Sequence, residues 1–154
     1  MYKIKERKAG EFIDLEFYFA SMDGDYENIV KFFVLLLTGK PADEEDIKRG
    51  ISLNESDCIE IIGIYAKEVS ELKEQFEFIY NPPPLPSVIS DKQSTIGDEY
   101  RKEFAEMYGG YVEMVYLLCG SFKYKPNEVL EMKLQDFLFW GNYLLHKKFV
   151  ENIK

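Results

Sequence analysis

The segments KPNEVLEM (residues 125–132) and LQDFLFW (residues 134–140) decide the fold class of this chain. Pro126 suits the first turn of a helix, where its missing N–H would have no partner in any case. A short helix is therefore predicted to lead into a longer helix rich in large apolar residues: Phe137, Leu138, Phe139, Trp140, Tyr143, Leu144, Leu145 and Phe149. A terminal helix does not leave that much apolar surface in water, so either the rest of the domain or a partner chain must cover it.

The composition predicts a single ordered domain over residues 1–154. Of its residues, 46% are hydrophobic and 16% aromatic, which is too apolar for a disordered chain. Acidic residues outnumber basic ones by 28 to 19, for a formal charge of −9. Nucleic-acid binding is not expected, because no Lys/Arg cluster is available to neutralise phosphates.

A cytoplasmic location is expected, without a membrane anchor. Acidic residues follow the N-terminal lysines where a secretory signal would need an apolar stretch. The most apolar run, residues 29–37, contains Lys31 and is far shorter than the roughly 20 residues that a membrane span needs. Cys58 and Cys119 have no CxxC spacing and are expected to be reduced and buried in the core.

The first third of the chain predicts a short extended segment followed by two helices. Met1–Arg7 alternates apolar and charged residues, which is typical of a strand or an extended arm. The first helix is predicted to open at Gly10. The second is capped by Asp25 and ends at Gly39, with apolar residues on nearly all of its faces.

A long helix is predicted from Glu55 to Tyr80, with Asn54 as its N-cap and a length of roughly 38 Å. Apolar residues recur along it in alternating steps of four and three: Cys58, Ile62, Tyr65, Val69, Leu72, Phe76 and Ile79. This pattern favours one seam of an intramolecular bundle over an intermolecular coiled coil, because the heptads are few.

Prolines end that helix and begin a polar connection at residues 82–96. It could act as a hinge between subdomains 1–81 and 97–154. It could also be a PxxP ligand, although a proline stop after a long helix explains the same residues. A further helix is predicted over residues 98–119, with Gly109-Gly110 marking a kink or a close approach and Gly120 ending it. The fold class is therefore all-α, a bundle of about five to six helices.

No residues with a catalytic, cofactor-binding or metal-binding pattern are found. The one histidine, His146, has no metal-ligating or catalytic partner at helical spacing and is expected to be solvated or to cap a helix end. The acidic run Asp43–Asp46 fits helix capping better than cation binding. An enzyme is not expected, although acids on separate helices could converge in space.

The C-terminal run resembles the end of tail assembly chaperones of tailed phages. In that family a Pro/Ser-x-Glu-Val-x-x-Met helix, here Pro126 to Met132, precedes a Leu-x-Asp/Glu-Phe/Leu-x-x-Trp helix, here Leu134 to Trp140. The stretch Gly10–Leu15 is also similar to the opening helix of such proteins. The matching stretches are short and consist of ordinary helix-forming residues. The proline-rich connection departs from that pattern.

The resemblance implies a non-catalytic chaperone in the host cytoplasm that coats the aggregation-prone, helical tape measure protein during tail assembly. It implies a partner-binding surface at Val129, Met132, Leu134, Phe137 and Trp140; core packing is the competing interpretation of these five residues. Two alternatives are a structural or packaged virion protein and a bacterial helical adaptor. Homo-oligomerisation is left open.

Overall fold

A computed structural model describes residues 3–81 and 111–152, and these residues form a helical bundle. The all-α prediction is confirmed, because eight α-helices and one 3-10 turn are present and the described residues contain no strand. The 3-10 turn spans Ile4–Glu6. The helices are α1 (Ala9–Ala20), α2 (Tyr26–Thr38), α3 (Glu44–Arg49), α4 (Glu55–Gln75), α5 (Glu77–Tyr80), α6 (Val112–Phe122), α7 (Pro126–Leu130) and α8 (Leu134–Asn152).

Helices α1 and α2 pack against each other as a hairpin near the middle of the core. The predicted ends of α2 are confirmed: the Asp25 side chain accepts from the Asn28 N–H at its start, and Gly39 takes the left-handed conformation (φ 73°) after its last turn. Phe32 and Phe33 are buried, as the nearly all-apolar sequence of this helix requires. Phe32 also meets the ring of Tyr65 in α4 at 5.0 Å.

Helix α4 begins where predicted but ends earlier. The Asn54 side chain accepts from the Asp57 N–H at 2.8 Å, which confirms the N-cap. A single helix to Tyr80 is wrong, because Phe76 leaves the helical conformation (φ −117°, ψ 56°) and the chain restarts as α5. Phe76 is buried, and the bend lets α5 lie against α8. Packing of α5 therefore overrides the regular periodicity at this point.

The predicted apolar seam of α4 packs inside the chain. Tyr65, Val69, Leu72 and Phe76 are buried, and Cys58, Ile62 and Ile79 pack against the same core while remaining partly exposed. This arrangement matches the intramolecular bundle.

The described part of the N-terminal segment is extended only at Lys3 and Arg7, because Ile4–Glu6 form the 3-10 turn. Ile4 is buried within the 3-10 turn, and its N–H donates to the carboxylate of Glu68 at 2.9 Å. Past the turn, the Ala9 N–H donates to the Met132 carbonyl at 2.8 Å, and the Leu134 N–H donates to the Arg7 carbonyl at 2.6 Å. A β-strand at the N-terminus would need a second strand to pair with. The described residues provide only one isolated β-bridge, between Lys8 and Lys133 at the α7–α8 junction.

Arg7 joins this segment to α2. Its side chain is almost fully buried, and its guanidinium donates to the Leu35 carbonyl at 3.0 Å and to the Leu36 carbonyl. These two carbonyls belong to the last turn of α2, which is the end of a helix where most carbonyls have no helical N–H partner. A cation at that end also complements the helix dipole. Arg7 therefore holds α2 beside the α7–α8 junction.

Helices α6 and α8 pack closely. A Cβ placed on Gly141 would collide with the Met114 side chain, so the glycine permits this approach. The predicted break at Gly120 is wrong: α6 continues to Phe122 and ends at Lys123 in the left-handed conformation (φ 56°). Nothing crowds Gly120, and one glycine costs a packed helix only about 1 kcal/mol. Gly109-Gly110 and the connection at 82–96 lie outside the described residues.

Candidate protein-binding surface

One face of α8 carries large apolar side chains, most of them aromatic, that the rest of the domain leaves exposed. The exposed fractions are 56% for Phe139, 39% for Trp140, 52% for Tyr143 and 46% for Val150. At 100° per residue these positions fall within about 100° of the helix circumference. The buried residues Leu134, Phe137, Leu138 and Gly141 lie on the opposite face.

The exposed rings form one contiguous cluster centred on Trp140. Its ring lies 5.2 Å from that of Phe139, 6.1 Å from that of Tyr143 and 5.5 Å from that of Phe122. Phe122 in turn stacks on Tyr124 at 5.6 Å. We call these five residues, Phe122, Tyr124, Phe139, Trp140 and Tyr143, the aromatic surface.

The turn between α6 and α7 brings Phe122 and Tyr124 to this surface. Lys123 reverses the chain in the left-handed conformation, and Pro126 opens α7 at its first position. The Glu128 carboxylate accepts from the Lys125 N–H at 3.1 Å and closes the start of that helix. The turn is thus defined by short-range bonds, which position the two aromatic rings beside α8.

An ion pair links α6 to α8. The Lys148 ammonium lies 2.5 Å from the Glu113 carboxylate. Asp136 and Lys147 share the face of α8 that carries the aromatic rings, and both are exposed. Among the described residues neither of these two forms an ion pair. The aromatic stripe of α8 therefore has a carboxylate near its start and an ammonium one turn past Tyr143.

The five residues expected to bind a partner divide into two groups. Val129, Leu134 and Phe137 are fully buried, so in this structure they belong to the core. Met132 is half-buried against the core, and Trp140 is exposed at the centre of the aromatic surface. Phe122, Tyr124, Phe139 and Tyr143 were not among the predicted partner-binding residues. In the sequence, Asp136 and Lys147 share the exposed face, but Lys148 lies on the core-facing side, so polar residues alone do not identify it.

A second group of polar side chains lies inside the domain, between α1, α5 and the start of α6. The hydroxyls of Tyr80 and Tyr111 are 2.6 Å apart, and the Tyr111 ring packs on Phe12 at 5.9 Å. Burial raises the pKa of both hydroxyls, so they stay neutral. Burial also raises the pKa of the nearby Glu16 carboxyl, although Lys73 and a hydrogen bond with Tyr111 oppose the shift. We interpret this group as a structural contact between helices.

The remaining candidates for chemistry are isolated. No group of three or more metal-ligating side chains occurs in residues 3–81 and 111–152. His146 is exposed, with its ring 5.1 Å from that of Phe78. Cys58 and Cys119 are free thiols but half-buried instead of fully buried, because they lie at the edge of the core. Asp43 and Asp46 cap α3 reciprocally, as the acidic run suggested.

Within the described parts of the chain, no helix combines the length and apolar character needed to cross a bilayer. No family model, curated protein or solved structure matches the chain.

Proposed function

We propose that this chain is a non-catalytic tail assembly chaperone that binds a helical tail protein through its aromatic surface. The observation that carries the binding role is the contiguous exposure of Tyr124, Phe139, Trp140 and Tyr143, each 39–56% accessible. The C-terminal resemblance suggests the class of partner, the tape measure protein of a tailed phage.

The size of the aromatic surface supports a binding role. About half of four large aromatic side chains is exposed, which amounts to roughly 400 Å² of mainly apolar area. Patches of this size on soluble proteins often mark an interaction site. Tyrosine and tryptophan are also the residues that most often contribute large shares of binding energy at protein interfaces.

An amphipathic helix is the partner element that fits this surface. Trp140 touches Phe122 of the α6–α7 turn, and it also touches Phe139 and Tyr143 along α8. Apolar side chains spaced at three and four residues on a partner helix could contact these rings together. A tape measure protein has long apolar helices, so it would present many such segments.

The net charge of the chain agrees with a chaperone role. A chain with formal charge −9 would add negative charge to each apolar segment that it covers. Like charges on neighbouring chaperone copies would then oppose aggregation of the coated protein.

Binding can be tested with a purified helical segment of a phage tape measure protein. We expect wild-type protein to bind the segment and to keep it in solution. Trp140→Ala combined with Tyr143→Ala should abolish both effects while circular dichroism stays helical. Phe17→Ala is the matched control, because Phe17 is 59% exposed on α1, outside the aromatic surface.

Three results would count against this function. Equal binding by the double variant would exclude the aromatic surface as the site. Retention of the chain in finished particles would favour a structural virion protein. Binding to a host regulatory protein, with no affinity for the tail segment, would favour an adaptor.

A further inference from the structure

On the exposed face of α8, two aromatic residues lie between two charged residues of opposite sign, and the spacing of the four is symmetric about their midpoint. Asp136, Trp140, Tyr143 and Lys147 follow one another at steps of four, three and four residues. The midpoint lies between Gly141 and Asn142. Reversing the helix therefore superposes Asp136 on Lys147 and Trp140 on Tyr143. A surface that pairs with its own copy across a two-fold axis needs this kind of self-complementarity.

We propose that the aromatic surface joins two copies of this chain through an antiparallel contact between their α8 helices. In that arrangement Asp136 lies opposite Lys147 of the partner subunit, and this ion pair occurs twice by symmetry. Trp140 lies opposite the partner subunit's Tyr143, also twice. The inference rests on the proposed role of the aromatic surface as a binding face, and it names a second copy as an occupant.

Charge selects the antiparallel direction. A parallel pair would place each Asp136 beside its symmetry mate and each Lys147 beside its own, so like charges would face each other at both ends. The antiparallel pair replaces both repulsions with attractions. Because neither side chain forms an ion pair within the described residues, both are available for this contact.

The exposed area implies a weak dimer. Roughly 400 Å² of aromatic surface per copy is about half of what each partner buries in a standard stable interface, and falls among weak, transient contacts. Such a contact would cover the apolar face of the free protein and still release it to a tail segment. Self-association and partner binding then compete for the same residues, so dimerisation would regulate the proposed chaperone activity.

Charge reversal at the two ends provides the test, with sedimentation velocity over a wide concentration range. We expect the wild-type chain to shift from monomer to dimer as its concentration rises. Asp136→Lys and Lys147→Asp should each weaken the homodimer by roughly tenfold, because each places two like-charge pairs across the axis. An equimolar mixture of the two variants should form a heterodimer with close to wild-type affinity, because opposite charges then face each other at both ends.

Matched controls separate this effect from general changes in charge or folding. Lys67→Asp reverses an exposed charge on α4 and should leave the dimer unchanged. Trp140→Ala should abolish dimerisation, whereas Phe17→Ala should not. Circular dichroism of every variant checks that the helices persist.

A wild-type chain that stays monomeric at every concentration would overturn the proposal. It would also fail if the mixed variants associated no better than each one alone. Either result leaves the tape measure binding assay unaffected. Conversely, a dimer with the expected charge pattern and no affinity for the tail segment would refute only the chaperone function.

Discussion

Replacing Arg7 with alanine should destabilise the domain more than any change to an exposed N-terminal residue. The Arg7 side chain is only 5% exposed, and it donates to the Leu35 and Leu36 carbonyls at the end of α2. The Leu35 carbonyl also accepts from the Gly39 N–H at 2.9 Å, so it keeps a partner in the variant. The Leu36 carbonyl loses the charged donor that Arg7 supplies.

The expected loss follows from three contributions. Removing a charged donor from a buried carbonyl costs about 1.5–3 kcal/mol. Loss of the positive charge at the end of α2 costs about 0.3–1 kcal/mol, and loss of the buried side-chain stem costs about 1 kcal/mol. Relief from burying the guanidinium offsets part of this sum. We therefore expect Arg7→Ala to lower the free energy of unfolding by about 3 kcal/mol.

Equilibrium urea unfolding, followed by circular dichroism, measures this difference when the denaturant slope stays the same in the variant. Arg7→Lys should lose about half as much, because an ammonium cannot reproduce the two-pronged contact. Lys5→Ala removes a neighbouring exposed cation and should change stability by less than about 0.5 kcal/mol. A loss below about 1 kcal/mol for Arg7→Ala would refute the view that this residue caps α2.

Three further predictions concern positions elsewhere in the fold. Gly39→Ala should lower the free energy of unfolding by about 1 kcal/mol, because position 39 has a positive φ. Gly63 is exposed inside α4, so Gly63→Ala should raise the free energy of unfolding by about 0.5–1 kcal/mol. Urea unfolding of the two variants measures this difference. Burial raises the pKa of the Glu16 carboxyl in the folded state, so the stability that this group contributes is present at acidic pH and is lost as the pH rises through that pKa. Glu16→Gln should therefore raise the melting temperature at neutral pH and make the melting temperature less dependent on pH. A melting temperature with the same pH dependence in the variant would contradict this prediction. Leu134→Ala truncates a core side chain and should lower the free energy of unfolding by about 2–5 kcal/mol, whereas Trp140→Ala should lower it clearly less. Urea unfolding measures both losses, and a larger loss for Trp140→Ala would place Trp140 in the core.

Features that depend on residues a few positions apart were predictable from the sequence. The caps at Asp25 and Asn54, the stop at Gly39 and the start at Pro126 all appear where expected. Each depends on a contact within about four residues, or on the backbone preference of one residue. The sequence itself therefore contains the information that sets these helix ends.

Features that depend on distant contacts were predicted wrongly. The seam of α4 runs on without a sequence break at Phe76, yet the helix ends there because α5 packs on α8. Gly120 resembles a stop signal, yet α6 passes through it to Lys123. Ile4 was expected in an extended segment, but the Glu68 carboxylate and the core hold it in a turn. In all three places tertiary packing outweighs a local preference of about 1 kcal/mol or less.

The sequence by itself determined that this chain is helical, where several of its helices start and stop, and that its C-terminal helix is too apolar to stand alone. Only the tertiary structure decided which side of that helix is core. Four large apolar residues are consecutive in this helix: Phe137, Leu138, Phe139 and Trp140. They are distributed around the whole helix, so the hydrophobic pattern does not indicate which side is buried. In the folded chain Met114 of α6 packs against Gly141, Phe137 and Leu138 are buried, and Phe139 and Trp140 remain at the surface. Packing between distant segments, which periodicity does not encode, therefore distinguishes the core residues from the candidate binding residues.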